Sequence, residues 1–329
     1  MATGISQQDA ARALVHAFVL DGLGGARSVE LEQLDELQLT EQESLWLHWD
    51  RGHPQTRLWL REHSGLSEFS CDLLLEENTR PRLLGLPDQE FLLFLRGVNL
   101  NPGAEPEDMV SVRIFAGGRR VISLRQRPLR ATEELIALLE QGHGPRNGSE
   151  LVQELAYYLT EKVESLIDGL SDLLDGQEDS LDSDARFMPD HGQVLQARRR
   201  AAGLRRFLAP QREIFAQLVH NGFGDSIQWN ELNNRLMRYL EELEMIRERV
   251  GLVLEAEHRR MNEKMNRAIY LLGVTTVFFL PMSFLTGLLG INVGGIPGAE
   301  SRHGFLLICS ILAGIGVLQW WLFRRLRWL

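Results

Sequence analysis

The chain has 329 residues, with 45 acidic against 35 basic side chains and a net charge of −10. Its acidity disfavours nucleic acid as a partner and suits the attraction of cations. Two cysteines, Cys71 and Cys309, form neither a disulfide framework nor a CxxC metal knuckle, which fits a reducing compartment for the soluble part. Nothing resembles a catalytic triad or a nucleotide-binding loop, so an enzyme is not expected.

Residues 1–20 contain Asp9 and Arg12 and no long apolar stretch, so no signal peptide is expected there. The first part, 1–146, reads as a mixed α/β domain. Strand-like runs fall at 15–20, 45–49, 81–86, 90–95, 110–116 and 119–125, punctuated by Gly, Pro and Asn. Helical patterns cover 54–62 and 132–141, the second with Thr132 as its expected N-cap. The order of the strands is not legible. His48, His53 and His63 cluster around Trp49-Asp50-Arg51, but without a CxxC or HExxH spacing they read as structural or surface residues rather than a zinc site.

Residues 147–226 form a charged antiparallel helix pair. An acidic arm runs from Glu150 to Asp184, and a basic arm carries Arg198, Arg199, Arg200, Arg205, Arg206 and Arg212. Charge pairing and solvation account for such blocks, with divalent-ion sensing by the acidic arm as the alternative. After Asn221-Gly222-Phe223-Gly224 one helical pattern runs unbroken. Leu232, Leu236, Tyr239, Leu243, Ile246, Val250 and Val253 alternate spacings of four and three, a heptad stripe. A stalk helix is therefore expected over 227–289, entering the membrane near 268. Such a stalk implies oligomerisation around an axis.

Residues 268–299 contain no Asp, Glu, Lys, Arg or His, and neither do 305–323. Each of 268–289 and 305–323 is about the ~20 residues that a crossing helix needs. An outer loop, 290–304, joins them, and a basic tail, 324–329, follows. Arg259, Arg260, Lys264 and Arg267 precede the first span, and Arg324, Arg325 and Arg327 follow the second, so both termini are expected in the cytoplasm. Trp320, Trp321 and Trp328 suit an interfacial belt.

Two spans cannot enclose a pathway, so transport requires an oligomer in the lipid bilayer. On the first span Asn266, Ile269, Gly273, Thr276, Leu280, Gly287 and Ile291 share one face about 80° wide at ~100° per residue, with Ser283 counted among the pore-lining positions. Hydroxyl, amide and apolar positions mix on it. The apolar ones, Ile269 and Leu280, would gate by excluding water. Ordinary packing through small residues explains the same stripe equally well. Pro281 should kink the helix. Without carboxylate, imidazole or thiolate ligands on the span, no inner-sphere metal site is expected. A divalent ion would pass with much of its water, and the Asn292 carboxamide at the outer mouth could supply outer-sphere contacts.

Gly290-Ile291-Asn292, after Pro281 and Thr286-Gly287, resembles the Gly-x-Asn signature of the CorA superfamily of divalent-cation transporters, with Ile where the magnesium transporters typically have Met. The loop Gly294-Gly295-Ile296-Pro297-Gly298 is similar to that of the ZntB zinc-transporter branch. Further matches at Thr79-Arg80-Pro81-Arg82, Arg125-Gln126-Arg127 and Ala209-Pro210-Gln211-Arg212 extend the likeness over essentially the whole chain. The resemblance implies an α+β chain in a funnel-shaped homopentamer: an α/β cytosolic domain, long stalk helices lining the pore and the second span outside. It implies Zn2+ as the transported substrate across a bacterial inner membrane, by proton-linked uptake, with no cofactor. Gly290, Ile291 and Asn292 would form the selectivity ring, and Glu300 and His303 would aid cation capture on the loop. Having only Glu300 as its acidic residue, that loop suits zinc better than strongly hydrated Mg2+. A magnesium or cobalt channel of the superfamily is the first alternative, and a membrane-anchored oligomeric sensor the second.

Overall fold

The computed structural model describes residues 13–183, 188–291 and 301–325, of Asp182 the backbone only. The chain forms two compact units, one ending at Val253 and the other comprising Leu254–Leu329.

In the first unit seven strands make one sheet in the order β2-β1-β3-β7-β6-β5-β4. They are β1 (Leu14–Leu20), β2 (Ala26–Ser28), β3 (Ser44–Asp50), β4 (Arg82–Gly85), β5 (Phe91–Gly97), β6 (Val110–Gly117) and β7 (Arg120–Arg125). All neighbours are antiparallel except β3 and β7, which pair in parallel with Leu45 opposite Arg120. The six strand-like runs all become strands, and β2 is added as a short edge. β5 begins with five consecutive Phe and Leu residues, all buried, because both of its faces are covered. Helix α1 (Pro54–Glu62) lies where its periodicity places it, with Pro54 in its first turn. Trp59 from α1 stacks on Trp49 of β3 at 4.3 Å between ring centroids.

Two local features depart from expectation. A further helix, α2 (Glu68–Leu75), is too short for a clear period, yet Ser67 caps it by accepting from Ser70 N at 3.1 Å. Its last carbonyls are held by arginines from elsewhere: Arg113 Nη1 donates to Leu74 O at 2.5 Å, and Arg51 Nη1 to Leu75 O at 3.2 Å. Arg113 is only 1% exposed, and burial together with the neighbouring cations Arg51 and Arg96 depresses its pKa to about 9. Helix α3 (Arg130–Glu140) starts two residues before Thr132, with Leu129 at the N-cap. Thr132 is therefore not the cap. It lies inside the first turn, where Oγ1 donates to Leu129 O at 2.6 Å.

The acidic arm is two helices, α4 (Gly148–Glu161) and α5 (Glu164–Ser183), separated by Lys162 and Val163. The basic arm is α6 (His191–Asn221), capped by Asp190 Oδ1, which accepts from Gly192 N and Gln193 N. Gly222 ends it in the left-handed conformation at φ 69°. The motif residues Thr79 and Gln211 meet on β5. Arg96 N donates to Gln211 Oε1 at 2.9 Å and Arg96 Nη2 to Thr79 O at 2.5 Å, which ties α6 to the sheet.

Helix α7 (Ser226–Gly290) is the expected stalk, 65 residues long. Every member of its heptad stripe from Leu232 to Val253 is buried within this chain. The stripe therefore does not call for neighbouring subunits. It packs against the subunit's own helices, because its seam is filled before any partner arrives. Tyr239 Oη donates to Glu164 Oε2 at 3.0 Å, and Arg249 binds Asp175 at 2.5 Å and Glu178 at 2.7 and 2.9 Å, both on α5. Arg205 of α6 reaches Glu244 of α7 at 2.6 Å. The charges of both arms thus find partners on α7, although such part-exposed pairs contribute little stability individually.

His48 is fully buried, and its Nδ1 shares a 2.7 Å hydrogen bond with Ser123 Oγ, which also accepts from Trp46 Nε1. Burial, then the charges of Arg125 and His16, lowers its pKa from 6.5 to about 3. His53 caps α1 through Nδ1 and His63 ends it, so the three histidines do separate structural jobs. A folded pKa below the unfolded one means that the unfolded chain binds the proton first. Stability is full above pH 6.5 and falls as the pH drops towards 3. Between pH 6.5 and 4.5 the expected loss from this residue is about 2 kcal/mol. Unfolding followed by tryptophan fluorescence across that range should show the slope in the wild type and lose this part of it in His48→Gln.

Candidate ion pathway

In the second unit α7 and α8 (Gly304–Arg325) are both long and apolar enough to cross a membrane. The faces that meet are regular. On α7 the half-buried residues are Val274, Phe278, Met282, Leu285 and Leu289; on α8 they include Gly304, Ile308, Leu312, Ile315, Gly316 and Gln319. Contact is close at Gly316, where an added Cβ would lie 3.2 Å from Met282 Cε. Arg324 and Arg325 sit over the rings of Trp320 and Trp321 at 5.5 and 5.2 Å, a cation–π arrangement suited to a membrane interface.

At ~100° per residue, the face centred on Phe278 defines its own opposite. Asn266, Ile269, Gly273, Thr276, Leu280, Ser283 and Gly287 all lie within about 60° of the line directly away from α8. All are exposed. At Gly273 and Gly287 an added Cβ would meet nothing within 4 Å, so this chain's own packing does not require glycine there. Thr276 Oγ1 donates to Leu272 O at 2.8 Å. Its proton is committed to the helix, and the oxygen presents only lone pairs outward, the polarity that a hydrated cation accepts.

Gly290 is the last residue of α7, and Ile291 follows it, exposed. Asn292 and Glu300 lie outside the described residues. His303 precedes α8, its amide donating to Ser301 Oγ at 3.3 Å and its carbonyl accepting from Leu307 N at 3.0 Å, with its ring exposed. Sequence reasoning passed over Gln319, the amide on the contact face of α8. The freed carbonyl that any mid-helix proline creates is the signal that could have singled it out.

A mixed α/β domain is thus followed by a helix running on into an apolar span and by a second apolar span, the layout of a chain built to meet a membrane. Residues 41–325 match the family described as CorA-like Mg2+ transporter protein, and the chain belongs to that family of divalent-cation transporters. It is 59% identical over 323 residues to the divalent cation transporter CmaX of Pseudomonas aeruginosa, spanning 97% of both chains. It is 32% identical over 325 residues to the zinc transport protein ZntB of Pectobacterium carotovorum, spanning 96% of both. The structure of the full-length CmaX protein matches with a TM-score of 0.86 at 57% identity, over 99% of this chain and 100% of that one.

If the face turned away from α8 borders the ion path, Ile269 and Leu280 are its dry positions. Ile269→Ser or Leu280→Ser should then raise passive leak from proteoliposomes, by about tenfold for each ~1.4 kcal/mol taken off the dry barrier. Leak indistinguishable from wild type in both variants would remove that face from the pathway.

Proposed function

We propose that the protein carries Zn2+ across the bacterial inner membrane as a homopentamer with both termini in the cytoplasm, taking the ion up with protons. The observation that carries this reading is the composition of the free face of α7: the Asn266 amide, then hydroxyl, glycine and apolar positions with no ionisable side chain from Ala268 to Gly290. Such a face offers no inner-sphere ligand for a bare divalent ion. It suits an ion that keeps its water and makes outer-sphere contacts to oxygens such as Thr276 Oγ1. Because α8 covers one side of α7 only, further copies of α7 would have to close the path, which supports an oligomer with α8 outside.

Zinc is favoured by the similarity to ZntB and by the presence of a single acidic residue, Glu300, in the loop. The family description favours a second reading, a magnesium channel of the same architecture, and the CmaX relative is described only as a divalent cation transporter. In either case Gly290, Ile291 and Asn292 would ring the outer mouth, with Glu300 and His303 nearby to gather cations.

Purified protein in liposomes loaded with metal-sensitive dyes should take up Zn2+ faster than Mg2+ or Co2+, and faster still with an inward proton gradient. Asn292→Ala should slow uptake about tenfold, the order expected from losing hydrogen bonds to a charged group. Brisk Mg2+ flux without Zn2+ flux would establish the magnesium reading. No flux of any divalent ion would leave a membrane-anchored oligomeric sensor.

A further inference from the structure

Pro281 has no N–H, so in an α-helix the carbonyl four residues earlier, Val277 O, loses its partner. In hydrocarbon no water replaces it. The structure provides a substitute from the other span: Gln319 Nε2 on α8 donates to Val277 O at 3.2 Å. The orientation of the amide follows from chemistry, since a carbonyl only accepts and the NH2 end must therefore face it. Gln319 Oε1 then points away, buried and without a hydrogen-bond partner. One turn before it, Gly316 packs closely on Met282, the residue after Pro281: an added Cβ would lie 3.2 Å from Met282 Cε. The two spans are thus fitted to each other at the proline turn by a polar bond and by a missing side chain.

We propose that Gln319 is a positioning residue for ion passage: it satisfies the carbonyl that Pro281 frees and thereby holds α7 in place at the proline, beside which Leu280, Ser283 and Gly287 project. This rests on the reading of α7 as the wall of the ion path. The bond ties to α8 the turn just before the proline, at Val277, so losing it loosens the joint between the two halves of the span while the rest of the helix keeps its ladder. The consequence falls on the rate of passage through the face opposite α8, and not on the capture of the ion at the mouth.

The test is a double-mutant cycle on the full-length protein, because Pro281→Ala returns an N–H to Val277 O and makes the Gln319 bond redundant. Gln319→Leu should lower the melting midpoint in detergent and reduce the maximal rate of Zn2+ uptake into liposomes about threefold, the effect of one interhelical hydrogen bond in a membrane. The half-saturating Zn2+ concentration should stay unchanged. Adding Gln319→Leu to Pro281→Ala should change neither quantity further. Equal losses in both backgrounds would overturn the proposal, as would a lowered melting midpoint with unchanged uptake. If the wild type moves no divalent ion, the transport reading fails, and the melting-midpoint cycle still decides whether the proline carbonyl and Gln319 are coupled.

Discussion

A helix of 65 residues needs something to cover its apolar faces, and most of this structure follows from how that is done along α7. From Leu232 to Val253 the heptad stripe is buried by the chain's own helices, and single polar contacts from Glu164, Asp175, Glu178 and Arg205 set its register. Through the apolar span, among the described residues, α8 covers one face. The remaining face carries glycine, threonine, serine and asparagine together with Ile269 and Leu280.

The arginines of the first unit are used in two ways. Arg51, Arg96 and Arg113 donate to backbone carbonyls at helix ends and strand edges, where the planar guanidinium can satisfy groups that secondary structure leaves open. Arg200, Arg205 and Arg249 reach carboxylates near the surface. The first set fixes how α2 and α6 sit on the sheet. The second neutralises the charge blocks of the helical arms, so the acidity of α5 is partly consumed by α7 and is not all available for sensing ions.

Several elements were legible in the residues because their cause is local. Strand alternation, Pro54 at the start of α1, the Asn221-Gly222 stop and the charge-free runs each depend on neighbours within a few positions. What was misread depends on distant partners. Helix α2 is held by Arg113 and Arg51 from other elements; the cap at Leu129 is the local exception, since Thr132 bonds back to Leu129 O inside the first turn. The heptad stripe is buried as its period requires, and what covers it was not legible. Periodicity tells that a face is covered, and it is silent on whether the cover comes from the same chain or another.

By itself the sequence determined that the chain has two uncharged spans, a long stalk and a proline in the first span, because hydropathy and the missing proline N–H are properties of the residues alone. Only the tertiary structure decided that α8 lies against the Phe278 face, leaving the polar stripe open on the other side. It also decided that Gln319 answers the carbonyl stranded by Pro281. Residues 277 and 319 are brought together only when two helices pack by particular faces, with Gly316 close against Met282, which no pattern along one helix contains.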